Sequence, residues 1–340
     1  MKDKRMVFLF TNSREETISR VREGQDADTP LRGLNHIQGA EHLTVTPKSM
    51  RSILFIPRLL RYDFVITQDN LLLGYIVSLY SRIFGAKTRW IYIAMNSSTL
   101  MRRHSTHRVR MFLFKKFWAS YSRIICLYHE QIEDFVRLGI SRDRLVFVPF
   151  GVDINFFKPR DTSIEEDLVV SIGRDAGRDY QTLLKSAERT NHKFVVVAGR
   201  KNISPDMTVP ANVQVLYDKS LVEIRDLYAR AKLVVVVSKD ESLSDGSDCS
   251  GQTVILDALS AGKAVVATRR AWITDYFVLD EDLVVITAND PKALARAIES
   301  LLSDSDKRKR VALSGYTKTV ERYNTKAFAE ALQNVMNSLV

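Results

Sequence analysis

The sequence predicts an α/β protein made of two doubly wound parallel-sheet domains. The chain has 340 residues, of which 45% are hydrophobic. This length suits two domains of about 150 residues each better than one domain with a single core. Short runs rich in β-branched residues recur in both halves, and each is followed by a segment with helical spacing. This alternation is typical of parallel sheets that are covered by helices on both faces. Proline and glycine near the middle of the chain indicate where the two domains join.

The second half shows the alternation most clearly. Helical segments separate its predicted strands, which are DLVVSIG (167–173), KFVVVAG (193–199), KLVVVVS (232–238), KAVVAT (263–268) and LVVIT (283–287). The predicted strands of the first half are MVFLF (6–10), HLTVT (42–46), YDFVIT (62–67), RWIYIA (89–94), RIICL (123–127) and LVFVP (145–149). Residues 150–163 are the predicted linker. Ligands of such sheets bind outside the carboxyl ends of the strands, so we expect a site in a cleft between the domains.

Charge is distributed unevenly along the chain. Residues 1–150 carry 24 Lys and Arg against 13 Asp and Glu, whereas residues 151–340 carry 26 against 27. The basic first half suggests an anionic partner, either a nucleic acid or an acidic membrane surface. No apolar run approaches the ~20 residues of a membrane-spanning helix, and polar residues end the first strand before a secretory signal can form. Cys126 and Cys249 give no disulfide framework and no metal cluster, which fits a reducing cytoplasm.

The segment SIGRDAGRDYQTLL (171–184) is the first candidate ligand-binding loop. Arg174 and Arg178 flank a turn between a strand and the helix that we expect to begin near Arg178. A cation at a helix N-terminus opposes the helix dipole, so basic residues there favour a nearby anion. The carboxylate of Asp175 or Asp179 is one candidate for this anion, in a solvated ion pair with an arginine. A bound phosphate is the other, since arginine matches phosphate oxygens in charge and geometry.

The loop after Ser238 is the second candidate. It runs for about a dozen residues before the next helix, where two to six are usual. At the helix start, Ser250 to Thr253 present free backbone N–H groups, and Gly251 lets a ligand approach the backbone closely. The alternative is a simple N-cap, in which Ser250 caps the helix and nothing binds.

Four segments in residues 120–335, taken in order, resemble the GT-B glycosyltransferases of the retaining, nucleotide-sugar-dependent class (glycosyltransferase family 4-like, "glycosyl transferases group 1"). They are HEQIEDFVRLGISRDRLVFVPFGVDINFFKP, SIGRDAGRDYQTLL, DLYARAKLVVVVS and GQTVILDALSAGKAVVAT. The resemblance implies two Rossmann-like domains facing across a cleft. Residues 1–155 would bind the acceptor, residues 156–320 would bind the nucleotide sugar, and a helix at 321–340 would cross back to the first domain.

The resemblance also implies roles for matching residues. Arg174 and Arg178 are expected to be the basic pair that neutralises the donor diphosphate during catalysis, although lysine is commoner at the second position. Asp257 occupies the place of a carboxylate that binds the nucleotide ribose. Further donor-binding groups are expected at Gly173, Ser250, Gly251, Gln252 and Thr253.

Two positions depart from the family pattern. Cys249 stands where relatives usually carry a glutamate that binds the donor sugar, and a thiol does not accept hydrogen bonds as a carboxylate does. Either backbone groups of the loop hold the sugar, or Asp248 or Asp245 substitutes, or the activity is altered. A packed or ligand-contacting thiol is favoured over a catalytic nucleophile, because no histidine lies nearby in sequence. Asn96 stands where relatives often place a histidine that contacts the sugar, and it is the third expected catalytic residue.

The stretch MRRHSTHRVRMFLFKKFWASYSR (101–123) mixes basic and aromatic residues. It fits an interfacial membrane anchor, or equally a helix that packs its aromatics on the sheet with a solvated basic face. The family resemblance favours the membrane, because many relatives glycosylate lipid-linked acceptors. No nucleic-acid recognition module accompanies the charge. The expected membrane or acceptor contacts are Arg102, Arg103, Arg108, Lys115, Lys116 and Trp118.

The function predicted from these observations is a retaining, metal-independent glycosyltransferase without a cofactor. It would move a sugar from a nucleoside-diphosphate sugar to a hydroxyl of a lipid-linked or cell-envelope glycan acceptor, in the cytoplasm and at the inner face of the membrane. The alternatives are a sugar-nucleotide epimerase of the same fold and a catalytically silent sugar-nucleotide-binding subunit. Sequence alone fixes neither the donor sugar, the nucleotide base, the acceptor nor the linkage.

Overall fold

The chain divides into two units, each built on its own six-stranded parallel sheet. Unit 1 comprises Met1–Arg22, Asp28–Phe150 and Thr325–Val340, and unit 2 comprises Glu23–Ala27 and Gly151–Asn324. The computed structural model describes residues 4–45, 56–68, 75–76, 79–80, 85, 87–160, 165–243 and 246–340.

The sheet of unit 1 has the strand order β2-β1-β3-β4-β5-β6, and every pair is parallel. Its strands are β1 (Met6–Phe10), β2 (Ala40–Thr44), β3 (Phe64–Thr67), β4 (Arg89–Ile93), β5 (Arg123–Cys126) and β6 (Leu145–Phe147). The helices described in this unit are α1 (Glu15–Arg22), α2 (Ile56–Leu59), α3 (Ser97–Arg103), α4 (Arg108–Trp118), α5 (His129–Leu138) and the C-terminal α12 (Thr325–Asn337). The last of these packs Phe328 against Phe150, with ring centroids 5.3 Å apart.

The sheet of unit 2 has the order β12-β11-β10-β7-β8-β9, again entirely parallel. Its strands are β7 (Leu168–Gly173), β8 (Lys193–Ala198), β9 (Val213–Tyr217), β10 (Leu233–Val236), β11 (Ala264–Thr268) and β12 (Val284–Ile286). Its helices are α6 (Tyr180–Ala187), α7 (Leu221–Arg230), α8 (Gln252–Ser260), α9 (Ile273–Tyr276), α10 (Pro291–Ser303) and α11 (Ser305–Arg322). This is the doubly wound order, in which the chain reverses direction between β7 and β10.

Burial explains why these segments form strands. All six residues of β7 and all four of β10 are buried, which is what helices on both faces of a parallel sheet produce. The predicted doubly wound α/β fold is therefore confirmed in each unit. Sequence analysis missed β9, because this edge strand alternates polar and apolar residues and only Val213 is buried. Within the described ranges, no helix is both long and apolar enough to cross a membrane.

Candidate functional site

The candidate site of unit 2 lies where β7 and β10 end side by side. The loop after β7 is joined to the loop after β10 by backbone hydrogen bonds. Asp179 N–H donates to the Val237 carbonyl (3.2 Å), and Lys239 N–H donates to the Gly177 carbonyl (2.8 Å). In doubly wound sheets this reversal point is where ligands bind.

The Arg178 side chain fills the space between the two loops. The residue is 5% exposed. A Cβ added to Gly173 would lie 2.1 Å from Arg178 Nε, and one added to Gly251 would lie 3.1 Å from Nη1. The guanidinium therefore lies directly against two backbone segments, and glycine at both positions makes room for it. This is the role that the structure gives to the predicted donor-binding residue Gly173.

The Arg178 guanidinium is buried without compensation. Its Nε and Nη1 atoms make no hydrogen bond within the described part of the chain. Burial is the main cause that holds its pKa below the usual arginine value, and Tyr180 and Asp175 act in the opposite direction. Buried donors in folded proteins are nearly always paired. An uncompensated arginine at a sheet's ligand-binding edge indicates an anionic ligand.

Neither of the two aspartates proposed as partners of Arg178 forms an ion pair with it within 4 Å. Asp179 is instead the N-cap of α6, accepting from Thr182 N–H at 3.0 Å and from its hydroxyl at 2.6 Å. Asp175 accepts hydrogen bonds from Gly177 N–H (2.8 Å) and Ser247 N–H (3.1 Å). The ion-pair alternative is therefore wrong for Arg178, and helix α6 begins at Tyr180, two residues beyond it and close to the predicted start.

Helix α8 begins beside this guanidinium with its N-terminus uncapped. Gly251 is the N-cap residue, with φ of 89°, and no side chain accepts from the first turn. Among the residues that the structure describes, nothing accepts from the N–H groups of Gly251, Thr253 and Val254. The Nε2 atom of Gln252, a residue 3% exposed, is also without a partner there. A nine-residue helix with free N–H groups next to a buried cation is a strong anion-binding arrangement.

Ser250 does not cap helix α8, so the simple N-cap alternative is wrong. Its hydroxyl donates to Asp175 Oδ1 at 3.0 Å and lies 3.5 Å from the Ser238 hydroxyl. Gly246 packs so tightly on the same carboxylate that an added Cβ would lie 2.3 Å from Asp175 Oδ1. Asp175 thus anchors the long loop through Ser247 and Ser250. This contact could not be predicted, since the two segments are more than 70 residues apart in sequence.

Asp257 lies further along α8 and is also uncompensated. Its Oδ1 atom is buried and has no hydrogen-bond partner in the described ranges. Desolvation, followed by repulsion from Asp153, raises its pKa well above the usual range. A ligand that donates hydroxyl hydrogen bonds would relieve this energetic cost. The predicted ribose role is compatible with this chemistry and stays a prediction.

Cys249 is partly exposed, and its chemistry does not suit a nucleophile. Desolvation raises its pKa well above the usual thiol value, and the neighbouring Asp248 carboxylate adds to the shift. The group is therefore a neutral thiol at physiological pH. Asp248 itself is 2% exposed. Asp245, the other proposed substitute for the family's glutamate, lies outside the described residues.

The remaining predicted residues are exposed. Arg174 donates from Nη2 to the Lys219 carbonyl at 3.0 Å, so it points away from the turn toward the loop before α7. Thr253 is exposed at the start of α8. In unit 1, Asn96 is the exposed N-cap residue of α3 and makes no capping side-chain bond.

The basic and aromatic stretch forms two helices, α3 and α4, and α4 has two distinct faces. Met111, Phe114 and Trp118 face the core of unit 1, where Trp118 is fully buried and meets Phe135 edge-on at 5.0 Å. The prediction that Trp118 contacts a membrane or acceptor is therefore wrong. The helical period places Trp118 on the same face of α4 as Met111 and Phe114, toward the sheet. The opposite face exposes 74% of Val109, 57% of Phe112 and 43% of Leu113.

Basic residues surround this exposed apolar face. Arg102, Arg103, Arg108, Lys115 and Lys116 are all exposed, and Lys116 Nζ lies 5.3 Å from the Phe112 ring centroid. Residues 97–129 contain seven Lys and Arg and no Asp or Glu. One face of α4 thus packs in the core, as one of the two alternatives predicted, and the other face is basic and apolar; membrane contact stays a prediction.

No metal-binding cluster is found among the residues described: nowhere in these ranges do three His, Cys, Asp or Glu side chains come together as a metal site would require. Gly246 and Arg270 were not predicted as site residues, and the contact of Asp175 with the long loop was not predicted either. Of these, only Gly246 carried a local signal, as a glycine within a long polar loop.

The comparison with known proteins finds a family match within the second unit. Residues 155–318 match the family described as Glycosyl transferases group 1. The lipopolysaccharide core biosynthesis glycosyltransferase LpsE of Rhizobium meliloti (strain 1021) is 26% identical over 187 residues. That alignment spans 52% of this chain and 52% of LpsE, so the chain matches about half the length of this relative.

Solved structures match almost the whole chain. Anabaena HepE, in complex with UDP and glucose, superimposes with a TM-score of 0.72 and 17% identity, over 98% of this chain and 100% of HepE. Sucrose-phosphate synthase from Thermosynechococcus elongatus gives a TM-score of 0.70 and 15% identity, over 99% of both chains. These likenesses confirm the predicted GT-B class of fold.

Proposed function

We propose, from the premise that residues 155–318 form a glycosyl transferases group 1 domain, that this protein transfers a sugar from a nucleoside-diphosphate sugar to an acceptor hydroxyl. One observation carries the proposal: the buried Arg178 guanidinium, without a partner in the described residues, lies beside the uncapped start of α8. A diphosphate supplies the negative charge and the oxygens that these donors lack.

The proposed chemistry follows from where charge develops. As the bond between sugar and diphosphate breaks, negative charge grows on the leaving phosphate. Arg178 and the N–H groups of α8 are held in place before the reaction, so they stabilise this charge without reorganising. The proposed site needs no cofactor and no metal ion, because the fixed guanidinium and the helix N-terminus already provide the positive charge.

Retention of configuration is part of the proposal, because the described carboxylate Asp257 is assigned to the ribose and Cys249 is not a suitable nucleophile. Cys249 is a neutral thiol with a raised pKa. The departing phosphate is the base nearest to the reacting carbon, and it would take the proton of the acceptor hydroxyl on the same face. Asp257 would accept hydrogen bonds from the ribose hydroxyls, which compensates its unpartnered Oδ1.

The acceptor is proposed to be a lipid-linked or cell-envelope glycan, bound by unit 1 at an anionic membrane surface in the cytoplasm. LpsE is named for lipopolysaccharide core biosynthesis, which makes this acceptor class the first to test. The exposed face of α4 supports the membrane: three apolar side chains lie within a ring of basic residues, which suits insertion among anionic headgroups.

Sugar transfer is tested by incubating the protein with UDP-, GDP- and ADP-sugars and a bacterial membrane lipid extract, with EDTA present. We expect mass spectrometry to show a lipid product enlarged by one sugar, and NMR to show the anomeric configuration of the donor. Epimerised donor, or bound nucleotide without any product, would contradict the proposal. Loss of activity in EDTA would contradict metal independence, and an inverted product would contradict retention.

Membrane binding is tested by replacing two exposed residues of α4, Phe112→Ser and Leu113→Ser, in one variant. We expect the wild type to sediment with vesicles that contain phosphatidylglycerol, and the variant to bind them at least ~10-fold more weakly, because two inserted apolar side chains contribute ~1.5–3 kcal/mol each. Leu313→Ser is the matched control, since Leu313 is 65% exposed on α11 in unit 2. No wild-type binding at low salt, or an equal loss in the control, would reject this surface.

A further inference from the structure

Arg270 organises the loop that precedes α8. It follows β11 and is 5% exposed. Its Nη1 atom donates to the Lys239 carbonyl (3.1 Å), and Nη2 donates to the carbonyls of Ser247 (3.4 Å) and Asp248 (3.2 Å). One guanidinium therefore joins the first residue of the loop to two residues near its end.

A carboxylate completes this attachment. Glu241 Oε1 lies 3.0 Å from Arg270 Nε, and the same carboxylate accepts from Ala271 N–H at 3.0 Å. Arg270 Nε makes this ion pair without a hydrogen bond, while both of its Nη atoms are bonded to carbonyls of the loop. Arg178 differs, because it has no ion pair within 4 Å and its Nε and Nη1 are both without a partner in the described residues.

The captured carbonyls also fix the direction of the neighbouring amides. In a planar trans peptide, the C=O of one residue and the N–H of the next point in opposite directions. With the carbonyls of Ser247 and Asp248 turned to Arg270, the N–H groups of Asp248 and Cys249 are turned away from it. The N–H of Cys249 finds no acceptor in the described ranges, so it is available at the entrance to α8.

We propose that Arg270 is a positioning residue for the donor: it holds Lys239, Ser247 and Asp248 so that the backbone amide of Cys249 stays in its binding orientation. This inference rests on the proposed function, because it assigns this amide to the donor. Arg270 acts through the loop backbone and does not contact the reacting groups. Its loss releases the loop while Arg178 and α8 remain in place.

The experiment compares Arg270→Gln with the wild type by hydrogen–deuterium exchange and by calorimetry with UDP, with GDP and ADP tested alongside. We expect faster amide exchange confined to residues 239–251, and affinity for the bound nucleotide weakened about 10-fold by the misplaced amide. Arg270→Lys keeps the charge but not the planar set of donors of a guanidinium. Its amide exchange and its nucleotide affinity should lie between those of the wild type and Arg270→Gln. Arg269→Gln, at the exposed neighbouring arginine, is the matched control and should change neither measurement.

Two outcomes overturn the inference. Unchanged exchange in the loop shows that Arg270 does not hold it, whatever the protein binds. Faster exchange with unchanged nucleotide affinity shows that the Cys249 amide does not serve the donor. If the wild type binds none of the three nucleotides, the proposed function fails and the positioning role fails with it. If Arg270→Gln does not fold, hydrogen exchange and nucleotide affinity are both measured on Arg270→Lys.

Discussion

Replacing Arg178 with methionine is expected to weaken nucleoside-diphosphate binding at least ~100-fold without lowering the melting temperature. Two or more hydrogen bonds from a charged group contribute ~1.5–3 kcal/mol each, and every 1.4 kcal/mol is a factor of about 10 in affinity. In the free protein the same guanidinium is buried with Nε and Nη1 unpartnered in the described residues, so methionine removes a desolvation cost and keeps most of the volume.

Calorimetry with UDP, GDP and ADP, together with thermal unfolding, checks this result. Arg174→Met is the matched control, because Arg174 is exposed and donates to the Lys219 carbonyl. We expect Arg174→Met to lose less nucleotide affinity than Arg178→Met. Affinity within twofold of wild type in Arg178→Met would remove the diphosphate assignment. A fall of more than a few degrees in melting temperature would indicate a structural role instead.

Asp257→Asn is expected to change stability and nucleotide affinity in opposite directions. The pKa of Asp257 is raised mainly by desolvation, so at pH values above that pKa the folded protein carries a carboxylate that it disfavours. Asparagine removes that charge, and we expect the melting temperature to rise by ~2–4 °C, which is about 1 kcal/mol for a domain of this size. Binding should weaken at least ~10-fold, because an amide oxygen is a poorer acceptor for two ribose hydroxyls than a carboxylate.

The pH dependence gives an independent check of the same residue. Because the pKa of Asp257 in the folded protein lies above the usual Asp value, ionisation of this side chain destabilises the fold. This destabilisation is complete at pH values above the folded-state pKa and disappears at pH values below the unfolded-state pKa. Lowering the pH through that window should therefore stabilise wild type relative to Asp257→Asn. Nucleotide binding to the charged form should strengthen as pH rises through the raised pKa. Parallel stability profiles of the two proteins between pH 4 and 8 would contradict this account.

Sequence reasoning reached the fold because burial on both faces of a parallel sheet leaves long runs of β-branched residues. The strands β7 and β10 are such runs, and the predicted site follows directly from where they end. The edge strand β9 was missed, since a half-exposed strand has no such run. Trp118 was assigned to the surface because composition shows what a helix contains and not which face each side chain occupies.

Contacts between segments that are distant in sequence set a second limit on what could be predicted. Asp175 binds Ser247 and Ser250, and Arg270 binds the carbonyl of Lys239, yet none of these pairs is near in sequence. In two of these three bonds one partner is a backbone atom, which any residue type carries. Residue identities therefore indicated candidate ligand-binding groups, whose roles stay predictions, but not the contacts that shape the loop.

The anchoring of the 239–250 loop has a consequence for how such a site diverges. Asp175 holds it at Ser247 N–H and the Ser250 hydroxyl, and Arg270 holds it at three carbonyls. Neither attachment uses the side chain at position 249. Substitution at position 249 can therefore change what the loop offers to a ligand while both anchors of its shape remain.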